Sequence, residues 1–104
     1  MLYAAIEHRT IEPENVADLG AFMNILLEKL ACIKQLLQKG KIKFHYAFKQ
    51  GHGCITIFEV GSEKELNQTL AEIPTDETMI KREIFQLSTL EEAINNISRY
   101  TIQV

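Results

Sequence analysis

"KIKFHYAFKQGHGCITIFEV", residues 41–60, is the stretch whose reading decides the fold. Its first half alternates, with Ile42, Phe44, Tyr46 and Phe48 set against Lys41, Lys43, His45 and Lys49. That is the period of a strand with one apolar face. Residues 54–60, CITIFEV, read as a second strand, so Gln50-Gly51-His52-Gly53 between them is a hairpin connection. Glycines there supply the positive φ such turns need, and His52 becomes an exposed turn residue. A glycine-rich phosphate cradle would require a helix opening directly after Gly53, and a strand follows instead.

Upstream, LYAAIEHR is a further strand, with Leu2, Ala4 and Ile6 on one face and Tyr3, Ala5 and Glu7 on the other. Pro13 suits the first turn of a helix and Glu14 its positive dipole end. From Val16 onward Leu19, Phe22, Met23, Leu26, Leu30, Ile33 and Leu37 recur at three- and four-residue steps. This is an amphipathic helix stopped by Gly40, with Gly20 marking a kink or a late start. Ile25 and Leu27 widen its apolar arc. Downstream, Ser62-Glu63-Lys64-Glu65 forms a capping box. It opens a short helix carrying Leu66, Leu70 and Ile73 and ended by Pro74. Residues 79–87, MIKREIFQL, read as a fourth strand. Ser88 and Glu91 cap a last helix with Leu90, Ala93, Ile94 and Ile97. The tail, residues 99–104 (RYTIQV), is β-prone and reads as a short fifth strand.

The order β-α-β-β-α-β followed by a helix is that of an α+β, ferredoxin-like domain spanning residues 1–104, with an antiparallel sheet and two helices on one face. Both faces of its strands carry apolar side chains: Ile55 and Ile57 oppose Cys54, Thr56 and Phe58, and Ile84 opposes Phe85. A sheet apolar on both sides needs a second cover. A partner subunit's sheet is the economical one, giving a homodimer, or a larger ring of dimers, with a cavity between sheets.

Bulk properties narrow the function classes. The 104 residues are 46% hydrophobic and 24% charged, with a formal charge of −3. There is no basic block to suggest nucleic acid. No apolar run approaches the roughly 18 residues of a membrane span, and MLYAAIEHR is no signal peptide. Cys32 and Cys54 have no metal or disulfide spacing and read as small buried apolar residues of a reducing compartment, which points to the cytoplasm. The three histidines, His8, His45 and His52, show no metal-ligand spacing, so no metal and no cofactor are expected.

Residues 40–79, from GKIKF to TDETM, resemble muconolactone isomerase and its relatives over more than a third of the chain. The residues that carry the resemblance are Gly40, Lys41, Ile57, Phe58, Glu59, Val60, Ser62, Glu65, Leu66, Pro74 and Met79. It implies a dimeric α+β barrel. Thr75-Asp76-Glu77-Thr78 stands where the family has an aromatic-rich segment, Tyr46-Ala47 where it has Trp-Arg, and Ile6 where it has a basic residue. A histidine expected early in the first hairpin strand comes one place later, at His45. Catalytic roles are therefore not carried over.

Read from the residues themselves, Glu7, His45 and Arg82 are the catalytic candidates, with Tyr3 as a substrate-binding hydroxyl. Moving a proton beside a lactone or ketone needs a base, an acid and a donor for the enolate. Burial would raise Glu7 into a useful range, and Arg82 would hold a substrate carboxylate in a bidentate pair. The competing role for these groups is that of rim charges and interface ion pairs. His45 could equally be an edge-strand residue among lysines that discourage pairing, and Tyr46, between Phe44 and Phe48, is expected to pack in the core. Three functions remain: an isomerase acting by proton transfer on a small apolar or acidic metabolite in the inter-sheet cavity; a non-catalytic ligand-binding or assembly protein; and an oxygenase like the antibiotic-biosynthesis monooxygenases.

Overall fold

The structure, a computed structural model, describes residues 1–103, with side chains described for residues 1–100. The elements are β1 (Leu2–Arg9), α1 (Val16–Gln38), β2 (Ile42–Ala47), β3 (Gly53–Glu59), α2 (Glu63–Glu72), β4 (Ile80–Leu87) and α3 (Leu90–Gln103). The strands form one antiparallel sheet in the order β2-β3-β1-β4, the ferredoxin-like arrangement. No helix among the described residues is long and apolar enough to cross a membrane.

The helix ends follow capping chemistry, with small shifts from the sequence expectation. Asn15 caps α1, its side chain accepting from the Asp18 N–H at 2.8 Å, so Pro13 lies ahead of the helix rather than in its first turn. Gly20 does not delay α1, which starts ahead of it and runs unbroken from Val16 to Gln38. Gly40, at φ 79°, turns the chain so that the Lys41 N–H reaches the Leu36 carbonyl. Ser62 caps α2 by accepting from Glu65 N–H, and the Glu65 carboxylate reaches back to the Gly61 N–H at 2.8 Å. At α3 the cap is Thr89 accepting from Glu92 N–H, one residue after the expected Ser88. The expected fifth strand is absent: Arg99 to Gln103 continue α3, and Val104 lies outside the described residues.

The core lies between the sheet and the helices, built from Tyr3, Ala5, Ile33, Leu36, Ile42, Phe58, Val60, Leu66 and Ile73. β2 does not alternate as simply as its sequence. A register shift between Ile42 and Phe44 lets Ile42 pair with Phe58 while Phe44 pairs with Ile57. One extra residue in a strand reverses the facing of everything after it. Ile42 is therefore buried, Phe44 and Tyr46 lie exposed on the far side of the sheet, and His45 turns under the helices. The expected core role of Tyr46 is overturned by this bulge.

The far face is apolar right across the sheet. Phe44, Ile57, Ala4 and Phe85 form one row over all the strands, with Tyr46, Ile55 and Ile6 in the next, which ends in Glu83 on β4. Phe44, Tyr46 and Phe85 are 57%, 63% and 48% exposed. α3 adds an exposed apolar stripe of its own, Leu90, Ile94, Ile97 and Tyr100, and the molecule is elongated, 61 × 27 × 23 Å.

Candidate functional site

Pairing register brings the polar residues together on the helix-covered face. In one row Arg82 of β4, Glu7 of β1 and Cys54 of β3 lie side by side, and Cys54 pairs onward with Ala47 of β2. In the next row Ala5, Thr56 and His45 are neighbours. α1 passes over them and contributes Lys29, which sits on its buried stripe with Phe22, Ile33 and Leu36.

Lys29 Nζ donates to Glu7 Oε1 at 2.8 Å, with both side chains almost wholly buried. Arg82 Nε and Nη2 approach Glu7 Oε2 at 3.1 Å each, and Arg82 Nη1 lies 3.7 Å from Glu77. Cys54 Sγ donates to Glu7 Oε1 at 3.4 Å. Burial is the largest influence on Glu7 and pushes its pKa up, but the Lys29 hydrogen bond, the Lys29 and Arg82 charges and the Cys54 thiol together outweigh it. The carboxyl is held below its ordinary value and is ionised at neutral pH. The expected rise through burial is corrected by two cations and a thiol that sequence separation conceals. For Cys54, burial and then the Glu7 charge drive the thiol up to about 11, so it is a donor and not a thiolate.

Beside this cluster lies a cavity of about 180 Å³, between the end of the sheet and α1. Its wall is mostly apolar, with Phe22, Leu26 and Leu30 on one side and Phe48 on another. Glu7, Lys29, Cys54 and His45 also border it. Two residues of its lining each hold a buried side-chain nitrogen with no hydrogen-bond partner: His45 Nε2 and Arg9 Nε. Unpaired buried groups are rare and costly, so two in the lining residues of one small cavity mark side chains that a bound molecule would satisfy by drawing them toward it. His45 Nδ1 is occupied by Thr56 Oγ1 at 2.8 Å. Burial first, then the Lys29 charge, lower the imidazole pKa against a partial offset from Glu7, so His45 is neutral at neutral pH.

The hairpin tip closes one side of the cavity. His52 is exposed, as its turn position implies, yet it is not idle. It takes a φ of 70°, its carbonyl accepts the Arg9 N–H at 2.7 Å, and its ring nitrogen meets Arg9 Nη2 at 2.6 Å. Arg9 also chelates Glu12 through Nη2 and lies over the Phe22 ring at 5.5 Å. Gly53 cannot be replaced without movement, because a Cβ there would overlap the Glu7 carbonyl oxygen and press on the Phe48 ring.

The candidates of the sequence are thus partly reunited. Glu7 and Arg82 form one cluster, and His45 stands in the adjoining row. All lie on the helix-covered face, not on the open face where an inter-sheet cavity would form. Arg82 is committed to Glu7 and Glu77, and Tyr3 belongs to the apolar core, away from the cavity lining. Lys29 and Arg9 were missed. The available signal for Lys29 was a charge standing at a three- and four-residue step inside an apolar helical stripe. Among the described residues no group of histidine, cysteine, aspartate or glutamate is arranged to hold a metal ion.

No protein-family model matches the chain, and no curated protein matches it. Solved structures do match in three dimensions. A crystal structure of muconolactone isomerase aligns over 86% of this chain and 90% of its own, with a TM-score of 0.68 and 16% identity. The 5-chloro-2-hydroxyhydroquinone dehydrochlorinase of Burkholderia phenoliruptrix, solved with 2,5-dihydroxybenzoquinone, aligns over 88% of this chain and 98% of its own, with a TM-score of 0.65 and 16% identity. The elements, their order and the sheet described above are therefore those of the muconolactone isomerase fold.

Proposed function

We propose that this protein is a small-molecule enzyme of the isomerase type, moving a proton on a single-ring substrate held between the sheet and α1. The observation that carries this reading is that two residues lining one apolar cavity, His45 and Arg9, each hold a buried side-chain nitrogen without a partner, Nε2 and Nε. Arg9 Nε–H can only donate, which suits a carbonyl or enolate oxygen. A neutral, partly desolvated imidazole suits the transfer of a proton at neutral pH. At about 180 Å³ the cavity is below the several hundred Å³ of clefts for drug-sized ligands, which limits the substrate to about one ring. Glu7, Lys29 and Arg82 act as a charge scaffold behind His45. We also infer that the open sheet face is covered by a second copy of the chain.

The relatives in fold act on a lactone and on a hydroxylated ring, as their names state, so muconolactone and 2,5-dihydroxybenzoquinone are the probes. The protein is incubated with each in deuterated water, and binding and loss of ring-proton signals are followed by NMR. Protein-dependent deuterium incorporation that falls about 100-fold or more in His45→Gln, with binding retained, is the expected result. Saturable binding without exchange would instead make this a ligand-binding protein. The heavy engagement of Glu7 by two cations and a thiol favours that second reading.

A further inference from the structure

Among the described residues, Glu7, Arg9 and Lys29 are the carboxylate, arginine and lysine side chains that border the cavity under α1, and each is already matched. Lys29 Nζ is engaged by Glu7 Oε1 at 2.8 Å, with both side chains buried, and Arg82 meets the other carboxylate oxygen. Arg9 Nη2 holds both oxygens of Glu12 at 3.1 Å and meets His52 Nδ1 at 2.6 Å. Arginine can only donate, so His52 accepts in that contact. His45 is neutral at neutral pH, and the Cys54 thiol keeps its hydrogen. Besides the histidines, the remaining bulky side chains on the border are apolar: Phe22, Leu26, Leu30, Phe48 and Ile80.

A ligand that enters such a site leaves its water behind. An uncharged ring loses little by that and gains the apolar walls. A carboxylate loses much more, because an ion taken out of water must find a counter-charge. Lys29 cannot supply one, since drawing it away would leave the buried Glu7 carboxylate without its nearest cation. Arg9 supplies one only by releasing Glu12. That exchange swaps one carboxylate for another, so the ligand gains no net attraction to set against its lost hydration.

We propose that the cavity selects uncharged ring compounds over carboxylates, and that Glu12 determines this choice by neutralising Arg9 at the cavity's edge. This rests on the reading of the cavity as the substrate site and narrows its substrate class to a single neutral ring, such as a lactone, a cyclic ketone or a phenol, without an acidic side chain. Glu12 suits the role. It stands on the connection between β1 and α1, three residues from Arg9, and its side chain is 69% exposed. It does not itself border the cavity. An exposed ion pair of this kind contributes little to stability, yet it occupies the border cation that stands outside the buried Glu7–Lys29 pair.

Benzamide and benzoate share one shape and differ in charge at pH 7, so they are the probes. Their binding to the full chain is followed through the side-chain NMR signals of Leu26, Leu30 and Phe48, which report on the cavity. Benzamide should bind about 100-fold more tightly than benzoate. Glu12→Gln, in an exposed position, should leave benzamide unchanged and tighten benzoate about tenfold. Leu26→Trp, which fills the cavity, should remove the binding of benzamide. Equal affinities for the two probes would overturn the proposal, as would an unchanged ratio in Glu12→Gln or a preference for the cation benzylammonium. Binding that survives in a folded Leu26→Trp protein, or that moves signals elsewhere and not these three, would do the same. No binding of either probe would overturn it together with the cavity reading. The lactone probes separate the two readings further. If benzamide is preferred but an uncharged butenolide shows no protein-dependent deuterium exchange, the enzymatic reading fails alone. Exchange as fast on muconolactone, which carries a carboxylate, as on the butenolide at equal low concentration would sink only the selectivity.

Discussion

A lysine that is 4% exposed must be matched by something, and here the match is Glu7. Desolvating both charges costs several kcal/mol, recovered only because the pair is hydrogen-bonded and Arg82 completes the carboxylate. Lys29→Met should therefore destabilise the protein by about 3 kcal/mol in urea denaturation, since Glu7 stays buried with one cation fewer. The double change Lys29→Met/Glu7→Gln should come closer to wild type than the single one. Acid titration probes the same residues. His45 has a folded pKa below its ordinary 6.5, so the unfolded chain takes up the proton first and stability falls as pH drops below 6.5. Glu7 is held below its ordinary 4.5, so its contribution is complete above that value and lost as pH falls through the lower folded pKa. Urea midpoints measured across this range should decline in these two stages, with the upper one missing in His45→Gln. Glu7, His45 and Arg82 could be picked from the sequence because ionisable groups in strand patterns stand out. Lys29 was passed over, because its stripe was read as apolar and its partner lies 22 residues away.

At the scale of elements, the alternation of β1 and β3, the long stripe of α1 and the Ser62 cap were legible, since each is written in neighbouring residues. The bulge in β2 was not. KIKFHYAF alternates without fault, and only pairing with β3 reveals the slip between Ile42 and Phe44 that turns His45 toward the helices. The tail was misread for a related reason. Thr101 and Val104 have β propensity, but propensity is weak beside a cap at Thr89 and an amphipathic run already under way. The hairpin yields a prediction at this scale. Gly53→Ala places a methyl on the Glu7 carbonyl, so β1 and β3 must part locally. It should cost about 2–4 kcal/mol, as strained small-to-large changes do. Thermal unfolding measures the loss, and hydrogen exchange should accelerate at Arg9 and Phe48, whose N–H groups donate to the His52 and Gly53 carbonyls at the hairpin tip. Gly51→Ala meets no atoms and loses only its left-handed backbone preference, so it should cost about 1 kcal/mol.

On the scale of the whole molecule, one chain does not account for its own surface. A domain of this length closes to a radius of gyration of about 13 Å, yet this chain has 16.9 Å. The excess goes with α3, whose exposed leucine, isoleucines and tyrosine gain nothing from solvent, and an isolated helix of 14 residues is marginal in water. The open sheet face presents the same problem. The sequence made the two-sided apolar sheet legible, but alternation cannot say which face the helices will take, and so the candidate site was assigned to the wrong side. With the cavity under α1, the open face is free for a second copy. Tyr46 and Phe85 stand at opposite edges of that face, and neither supports the core of its own chain. Tyr46→Glu/Phe85→Glu should therefore leave the fold intact by circular dichroism while converting a dimer or larger assembly to monomer in light scattering. Because the cavity is built from one chain, the monomer should bind the same ring probes as the assembly. An assembly of unchanged mass would place the contact elsewhere, on α3 or the exposed side of α1, and a wild-type monomer would leave the apolar rows without a function.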